Sequence, residues 1–429
     1  GVEYVGLFGY TRGATISNVG LVNAAVTGAS KVGGLVGYVG GSGGSGSSIS
    51  NSYVTGSVTG SSSSVGGLVG EVESGSSING AYAAGAVIGN SNVGGLVGTN
   101  NGEIKNSYAT ASASATGING FAGGLVGYNG KTIKNSYATG SVHADYMGGS
   151  AGGLVGNTSS YTTIENSYAA GKVAANANAG GLVGKKGANS ITITSSYWDT
   201  EKSGRTNSAG GTGLTTAQMK DASNYSTWDT NTVWYLNGGY TAPLLRSFLT
   251  SLTVSADSTS KVYDGNATAA IANETRTPAN GVYDASKVGG TLAWSGKDVG
   301  SPHGLGGLYT TSQQGYLISY DPNAKLTITP KALTAALIGT VEKVYDGTNT
   351  ATLTGANYTA LAGVVGSDAV SLNLATSGSY SDKNVNLNGD KAVSVTGLAL
   401  TGSDAGNYTL ASTTLSGNIG KITKAPLTI

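Results

Sequence analysis

Cysteine is absent from all 429 residues, which excludes disulfide scaffolds, thiolate zinc sites and thiol catalysis together. The same absence suits a protein exported unfolded through a narrow outer-membrane pore. Histidine is nearly absent: His143 and His303 stand in separate parts of the chain, so neither a catalytic triad nor a histidine metal site is expected. Charge is scarce and balanced, with 23 Lys and Arg against 22 Asp and Glu. A nucleic-acid-binding surface needs a concentrated basic face, so nucleic acid is not expected as a partner. No apolar run approaches the roughly 20 residues of a membrane-spanning helix. Residues 1–10 lack the charged and apolar regions of a signal peptide, so the chain is expected to be soluble and a fragment of a longer protein.

What the chain has instead is glycine, 72 residues of it, in a sequence that is 39% hydrophobic. Apolar content on that scale, without net charge to expand the chain, predicts folding rather than disorder. The glycines are periodic. Gly-Gly-Leu-Val-Gly stands at residues 33–37, 66–70, 94–98, 123–127, 152–156 and 180–184, with a degenerate copy at 6–9. The leucines Leu7, Leu35, Leu68, Leu96, Leu125, Leu154 and Leu182 are therefore 28, 33, 28, 29, 29 and 28 residues apart. A second motif runs in step, Ile-x-Asn-Ser-Tyr ending at Tyr53, Tyr108, Tyr137 and Tyr168, with looser versions at Ala81-Tyr82 and Ser196-Tyr197. Each unit thus offers three strand-like stretches separated by Gly, Ser and Asn corners.

One such coil cannot bury its own apolar residues. Stacking coils about 4.7 to 4.9 Å apart pairs every strand above and below and sets leucine on leucine. Glycines beside each leucine are expected to supply positive φ at the corners and to permit close backbone approach. The prediction is all-β, a β-solenoid (β-helix) of about seven coils over residues 1–198. Asn51, Asn106, Asn135 and Asn166 share one position, with Asn18 in the irregular first coil, and read as an amide ladder satisfying corner backbone groups. Lys105, Lys134 and Glu165 read as a solvated ladder, with Lys134 beside Glu165 on adjacent coils. These repeats resemble the GLUG motif of large Gram-negative surface proteins, including filamentous-haemagglutinin-like adhesins of the two-partner secretion type. The resemblance covers residues 1 to about 198.

From Trp198 the glycine motif stops and Trp198, Trp228 and Trp234 follow, with capping-box spacing at Thr215-Thr216-Ala217-Gln218. An open solenoid end would recruit other strands, so residues 199–248 are expected to be a C-terminal cap with a short helix. A new repeat then begins: Lys261-Val262-Tyr263-Asp264-Gly265 returns as Lys343-Val344-Tyr345-Asp346-Gly347. Two small antiparallel β modules in tandem, 249–330 and 331–424, are predicted, with 425–429 starting a further one. They resemble the YDG-type and related MBG-type modules of bacterial surface proteins, a resemblance that implies a stalk or spacer role. Within the pentapeptide, Asp is expected to set a turn and Gly to supply its φ, and calcium at Asp264 or Asp346 is disfavoured because no dense set of oxygen ligands surrounds either in sequence.

A carbohydrate-active β-helix enzyme needs carboxylates within about 10 Å, but Glu71, Glu73, Glu103, Asp145 and Glu165 occupy different repeat offsets. An ice-binding face needs an unbroken threonine row, and Ala84 interrupts the row of Thr55 and Thr139. The expected function is non-enzymatic: an extracellular, cell-surface adhesin segment, with a pure stalk as the alternative and no cofactor or metal. The position after Leu-Val-Gly holds Tyr10, Tyr38, Glu71, Thr99, Tyr128, Asn157 and Lys185. Tyr10 and Tyr38 fall on adjacent coils and are the candidate ligand-binding pair, suited to stacking on sugar rings. The expected partners are an extracellular polysaccharide or a host or neighbouring cell surface, and an outer-membrane secretion or anchoring partner engaged through other parts of the protein.

Overall fold

A computed structural model describes residues 1–41, 46–188 and 191–427. It divides into one unit of Gly1–Thr250 with Ala285–Val288 and Tyr309–Leu317, and a second of Ser251–Asp284, Gly289–Leu308 and Ile318–Ile429. The chain is almost wholly β, and the first unit is a parallel β-solenoid. Two seven-stranded sheets run its length: one from Phe8–Arg12 through Val36–Gly40 to Val183–Lys185, the other from Thr15–Ser17 through Ser48–Ser50 to Thr192–Thr194. A six-stranded sheet runs from Val32–Gly33 to Asn178–Gly180, and an eleven-stranded one carries the segments that follow each tyrosine motif. Four sheets replace the three strand stretches expected per coil because the glycine motif is itself a corner. Val32–Gly33 and Val36–Gly40 belong to different sheets, and the leucine sits between them.

The leucines stack as the period requires. Leu35, Leu68, Leu96, Leu125, Leu154 and Leu182 have no solvent exposure, and their backbones link rung to rung, Leu35 N donating to Leu68 O and Leu68 N to Leu96 O at 2.9 Å each. Ile49, Ile78, Ile104, Ile133 and Ile164 fill the same core from the second sheet. Leu7, in the degenerate first copy, is exposed.

The glycines of the motif act by close approach and not by positive φ, since none of them adopts it. A Cβ on Gly94 would lie 1.8 Å from the carbonyl oxygen of Val97 in its own corner, and one on Gly153 would lie 2.1 Å from the carbonyl oxygen of Gly181 in the next coil. Positive φ occurs at the other corner, at Asn51, Asn106, Asn135 and Asn166, each near +48°, with Asn18 at +57°, Gly80 at +65° and Ser195 at +44° in the other copies. Asparagine tolerates the left-handed region better than most side chains. The amide ladder is partial: Asn106 Nδ2 donates to Asn79 Oδ1 at 2.9 Å and Asn135 Nδ2 to Asn106 Oδ1 at 3.2 Å. The serine after each asparagine does more. Ser136 Oγ donates to Lys134 O at 2.8 Å and accepts from Ser107 N at 3.2 Å, and Ser107 and Ser167 repeat both bonds, tying successive coils through buried hydroxyls. Lys134 and Glu165 pair at 3.2 Å on the surface, while Lys105 pairs with Glu103 of its own strand.

Residues 199–248 do two jobs. The first part covers the last coil: Thr212–Leu214 adds a parallel strand to Tyr197–Asp199, and Ser208 Oγ accepts from Leu182 N and Val183 N. One α-helical turn, Thr200–Ser203, is N-capped by Asp199, whose carboxylate accepts from Glu201 N and Lys202 N. The expected capping box also forms, Thr215 Oγ1 accepting from Gln218 N and Gln218 Oε1 from Thr215 N, but it opens a 3-10 turn, Gln218–Lys220, and not an α-helix. The second part folds back along the flank of the solenoid. There the tyrosines form a ladder, with Tyr53, Tyr82, Tyr108, Tyr137 and Tyr168 stacked 4.8 to 5.1 Å apart and nearly parallel. Phe248 meets Tyr108 edge-on at 4.8 Å, and Trp228 and Trp234 cover Tyr168. Gln313, from the segment Tyr309–Leu317 of the same unit, accepts from Tyr137 Oη at 3.0 Å and clamps Leu245 through both its N and O. Residues 309–317, expected within the module 249–330, thus belong to the solenoid unit.

The second unit holds two small β modules. Antiparallel strands dominate the second one, Asn386–Val395 pairing with Leu415–Thr423 and with Ser377–Tyr380. Both modules also have parallel pairings, Thr259–Val262 with Leu326–Thr329 in the first, and Val341–Val344 with Leu415–Thr423 and Lys331–Leu333 with Tyr408–Leu410 in the second. One apolar cluster joins Tyr263, Trp294, Leu305, Leu326 and Ile328 with Leu333 and Tyr408, so the two modules share a core.

Candidate functional site

Tyr10 lies in Phe8–Arg12 and Tyr38 in Val36–Gly40, directly opposite each other in the parallel register. Side chains opposite each other in a parallel pair stand on one face, so the rings meet: their centroids are 5.0 Å apart and their planes differ by 9°. Tyr10 is 52% exposed and Tyr38 half-buried. Residues beyond the expected pair complete the patch. Tyr4 packs edge-on against both rings, at 6.1 and 5.9 Å, and is itself exposed. Lys31 places its ammonium 4.3 Å from the Tyr38 ring centroid and bonds Glu71 at 3.3 Å. Glu73 accepts from Gly41 N at 2.8 Å. Burial, with help from the Glu73 and Glu71 carboxylates, pushes the Tyr38 phenol up to about 12, so it stays a neutral hydrogen-bond donor at neutral pH.

Lys31 occupies the place just before Val-Gly-Gly, where other coils carry Ser64 and Asn92, and those two bond Thr99, which aligns with Tyr38. The repeat therefore holds a signal that the residue before Val-Gly-Gly reaches the residue after Leu-Val-Gly. Tyr4 holds the same place in the degenerate first copy, just before Val5-Gly6, shares positive φ with Lys31, Ser64 and Asn92, and reaches Tyr10, so the same signal points to it. The patch presents one aromatic face with a cation and two carboxylates at its rim, the combination that stacks on a pyranose ring and bonds its hydroxyls.

A second concavity, about 330 Å³, opens where the tyrosine ladder emerges from its cover, lined by Asn18, Asn51, Tyr53, Tyr82, Ser247 and Phe248. The rest of the ladder is buried and structural. In the modules, Gly265 and Gly347 have φ of +80° and +81°, and Asp264 and Asp346 accept from the backbone N–H two residues on, at 2.9 Å each. Both carboxylates also take a lysine ammonium, Lys261 at 2.6 Å and Lys343 at 2.9 Å. No cluster of three or more metal-ligating side chains occurs among the described residues.

The fold and its motifs define the class: a glycine-cornered parallel β-solenoid accompanied by tandem β modules. The sequence matches the GLUG motif at residues 89–114, 119–142 and 147–174, and the YDG domain at 329–415. These are building blocks of secreted or surface proteins and fit a β-helix surface protein. No curated protein matches the chain. A solved structure with some likeness is that of "a putative immunoglobulin A1 protease" from Bacteroides ovatus, 23% identical, covering 54% of this chain and 69% of that one with a TM-score of 0.37, which bears on neither fold nor activity here. No helix among the described residues is long and apolar enough to cross a membrane.

Proposed function

We propose that this chain is a non-enzymatic segment of an extracellular bacterial surface protein, in which the solenoid binds an extracellular polysaccharide and the modules form part of a stalk. Adhesion to a biofilm matrix, a host surface or a neighbouring cell follows from that binding. Secretion or anchoring falls to an outer-membrane partner acting through other parts of the protein. The observation that carries the reading is the stacked, outward Tyr10–Tyr38 pair with Tyr4, Lys31 and Glu71 around it. The GLUG and YDG matches support it, since both families are typically non-catalytic.

The test is binding of the full chain to a panel of bacterial exopolysaccharides, beside a chain carrying Tyr10→Ala and Tyr38→Ala. Losing two stacking faces is expected to weaken binding about tenfold or more, with unchanged circular dichroism. Equal binding by both chains removes the site, and release of new reducing ends from any polysaccharide removes the non-enzymatic reading. A Tyr53→Ala chain, expected to bind normally, separates this patch from the concavity at the end of the ladder.

A further inference from the structure

The pentapeptide Lys-Val-Tyr-Asp-Gly occurs twice, and its two copies are folded alike. Tyr263 N donates to Thr329 O and Tyr345 N to Thr423 O, both at 2.9 Å. Thr329 Oγ1 donates to Lys261 O and Thr423 Oγ1 to Lys343 O, both at 3.2 Å. The turn glycines share their φ, and each aspartate holds the lysine three residues before it. Burial of the tyrosine is where the copies part. Tyr263 is 1% exposed, whereas Tyr345 is 39% exposed.

The difference has a visible cause within the second unit. Tyr263 enters a seat built by the following module. Its hydroxyl donates to Asp368 Oδ2 at 2.8 Å, the same oxygen receives Tyr408 Oη at 2.6 Å, and the Tyr408 ring meets that of Tyr263 edge-on at 5.3 Å. Val365 closes over the turn so tightly that a Cβ on Gly265 would come within 2.9 Å of its Cγ1, whereas one on Gly347 would meet nothing within 4 Å. Asn407 of the same seat accepts from Val299 N at 2.8 Å and donates to Asp298 at 3.1 Å, completing the junction.

We propose that the face around Tyr345 and Gly347 is the docking surface for a further module of the same kind, which receives the Tyr345 hydroxyl on an aspartate and its ring against a tyrosine, as Asp368 and Tyr408 receive Tyr263. The occupant follows from continuity with the junction already present, because the projecting element repeats residue for residue. A second intact copy of this chain is the poorer fit, since its Asp368–Tyr408 seat is already filled by its own Tyr263. Modules joined this way share core residues at each junction, so a string of them is braced at every step and not loosely beaded. The inference does not depend on polysaccharide binding by the solenoid.

The test compares tyrosine nitration, read by peptide mass spectrometry, in the full chain and in a chain extended after Thr423 by a second copy of residues 330–424. In the full chain Tyr345 is expected to be nitrated while Tyr263 is protected. In the extended chain Tyr345 nitration is expected to slow about tenfold or more, as expected for burial with a hydrogen bond to a charged acceptor. Replacing the appended copy's counterpart of Asp368 by Asn is expected to return part of that reactivity. The appended counterpart of Tyr380, a fully buried residue in the original, reports whether the copy folds. An unchanged Tyr345 rate beside a folded copy overturns the proposal. An unfolded copy overturns it as well, because the face is proposed to complete that module. Sedimentation of the unextended chain as a dimer with protected Tyr345 would assign the face to self-association instead.

Discussion

In the solenoid each coil meets a near copy of itself 28 to 33 residues along the chain, while in the modules pairing strands come from remote, unlike segments, as when Lys343 lies opposite Ile422. The two regions consequently place their glycines differently. Motif glycines such as Gly94, Gly123, Gly152 and Gly153 stand where backbone meets backbone, so the nearest atoms belong to no side chain that can move aside. A module glycine such as Gly347 stands at an exposed turn, where the requirement is φ alone. Repetition makes the first kind of site unforgiving six times over, whereas a turn of the second kind fails alone.

Three experiments press on that contrast. The largest expected effect is from Gly153→Ala, whose methyl would have to displace the Gly181 carbonyl: a loss of about 3 kcal/mol or more is expected in the solenoid transition. Its counterpart Gly347→Ala adds a methyl in open space and strains only φ, at about 1 kcal/mol. Thermal unfolding followed by probes in each region checks the pair, and equal losses would erase the distinction. Next in size is Ser136→Ala, which removes a buried hydroxyl bonded to Ser107 N and Lys134 O; about 1 to 3 kcal/mol is expected. Thr329→Val, which breaks an exposed hydroxyl bond in the first module, is expected to cost less than about 0.5 kcal/mol. Denaturant titration of both variants decides it.

The third comparison is one of pH. Burial, aided by neighbouring phenols, holds the Tyr137 and Tyr168 hydroxyls well above the usual tyrosine range. An unfolded tyrosine ionises near about 10, so the ladder's contribution is whole below that pH and lost as pH rises above it. Asp346 runs the other way: the Lys343 ammonium, then the Thr348 amide, hold its carboxyl down at about 2. Its contribution is whole above about 4 and fades as pH falls toward 2, and it is slight because the group is solvated. Alkaline titration is therefore expected to weaken the solenoid through its ladder and the modules through Tyr263 and Tyr408, whose hydroxyls burial and the Asp368 carboxylate also hold up, while acid titration loosens the Asp346 turn. Ladder phenols that ionise at the free-tyrosine pH, or an Asp346 carboxyl that protonates as a free aspartate does, would contradict this.

The rungs were legible because a stacking period is written directly into the chain: leucine spacing gives the core column, and register gives the Tyr10–Tyr38 pair. The role of the motif glycines was legible only in part. Composition permits both positive φ and close approach, and choosing between them requires knowing that a carbonyl of the next coil stands 2.1 Å from the missing methyl of Gly153. The serine ladder was hidden inside the tyrosine motif, since a hydroxyl bonding forward to another coil leaves no mark on the local pattern. Tyr4 completes the candidate site from the degenerate first copy, at the place Lys31, Ser64 and Asn92 hold in later coils; the period reaches it, but the loss of one glycine from the motif hides it.

By itself the sequence determined that the first two hundred residues stack, which residues share a column, and that a second repeat with its own turn follows. Tertiary structure decided what covers those columns. The tyrosine ladder is closed by Phe248, Trp228, Trp234 and Gln313, and Tyr263 is buried where the identical Tyr345 is open. The reason is one of range: stacking needs only the next copy along the chain, while covering a face needs a partner whose position no period specifies.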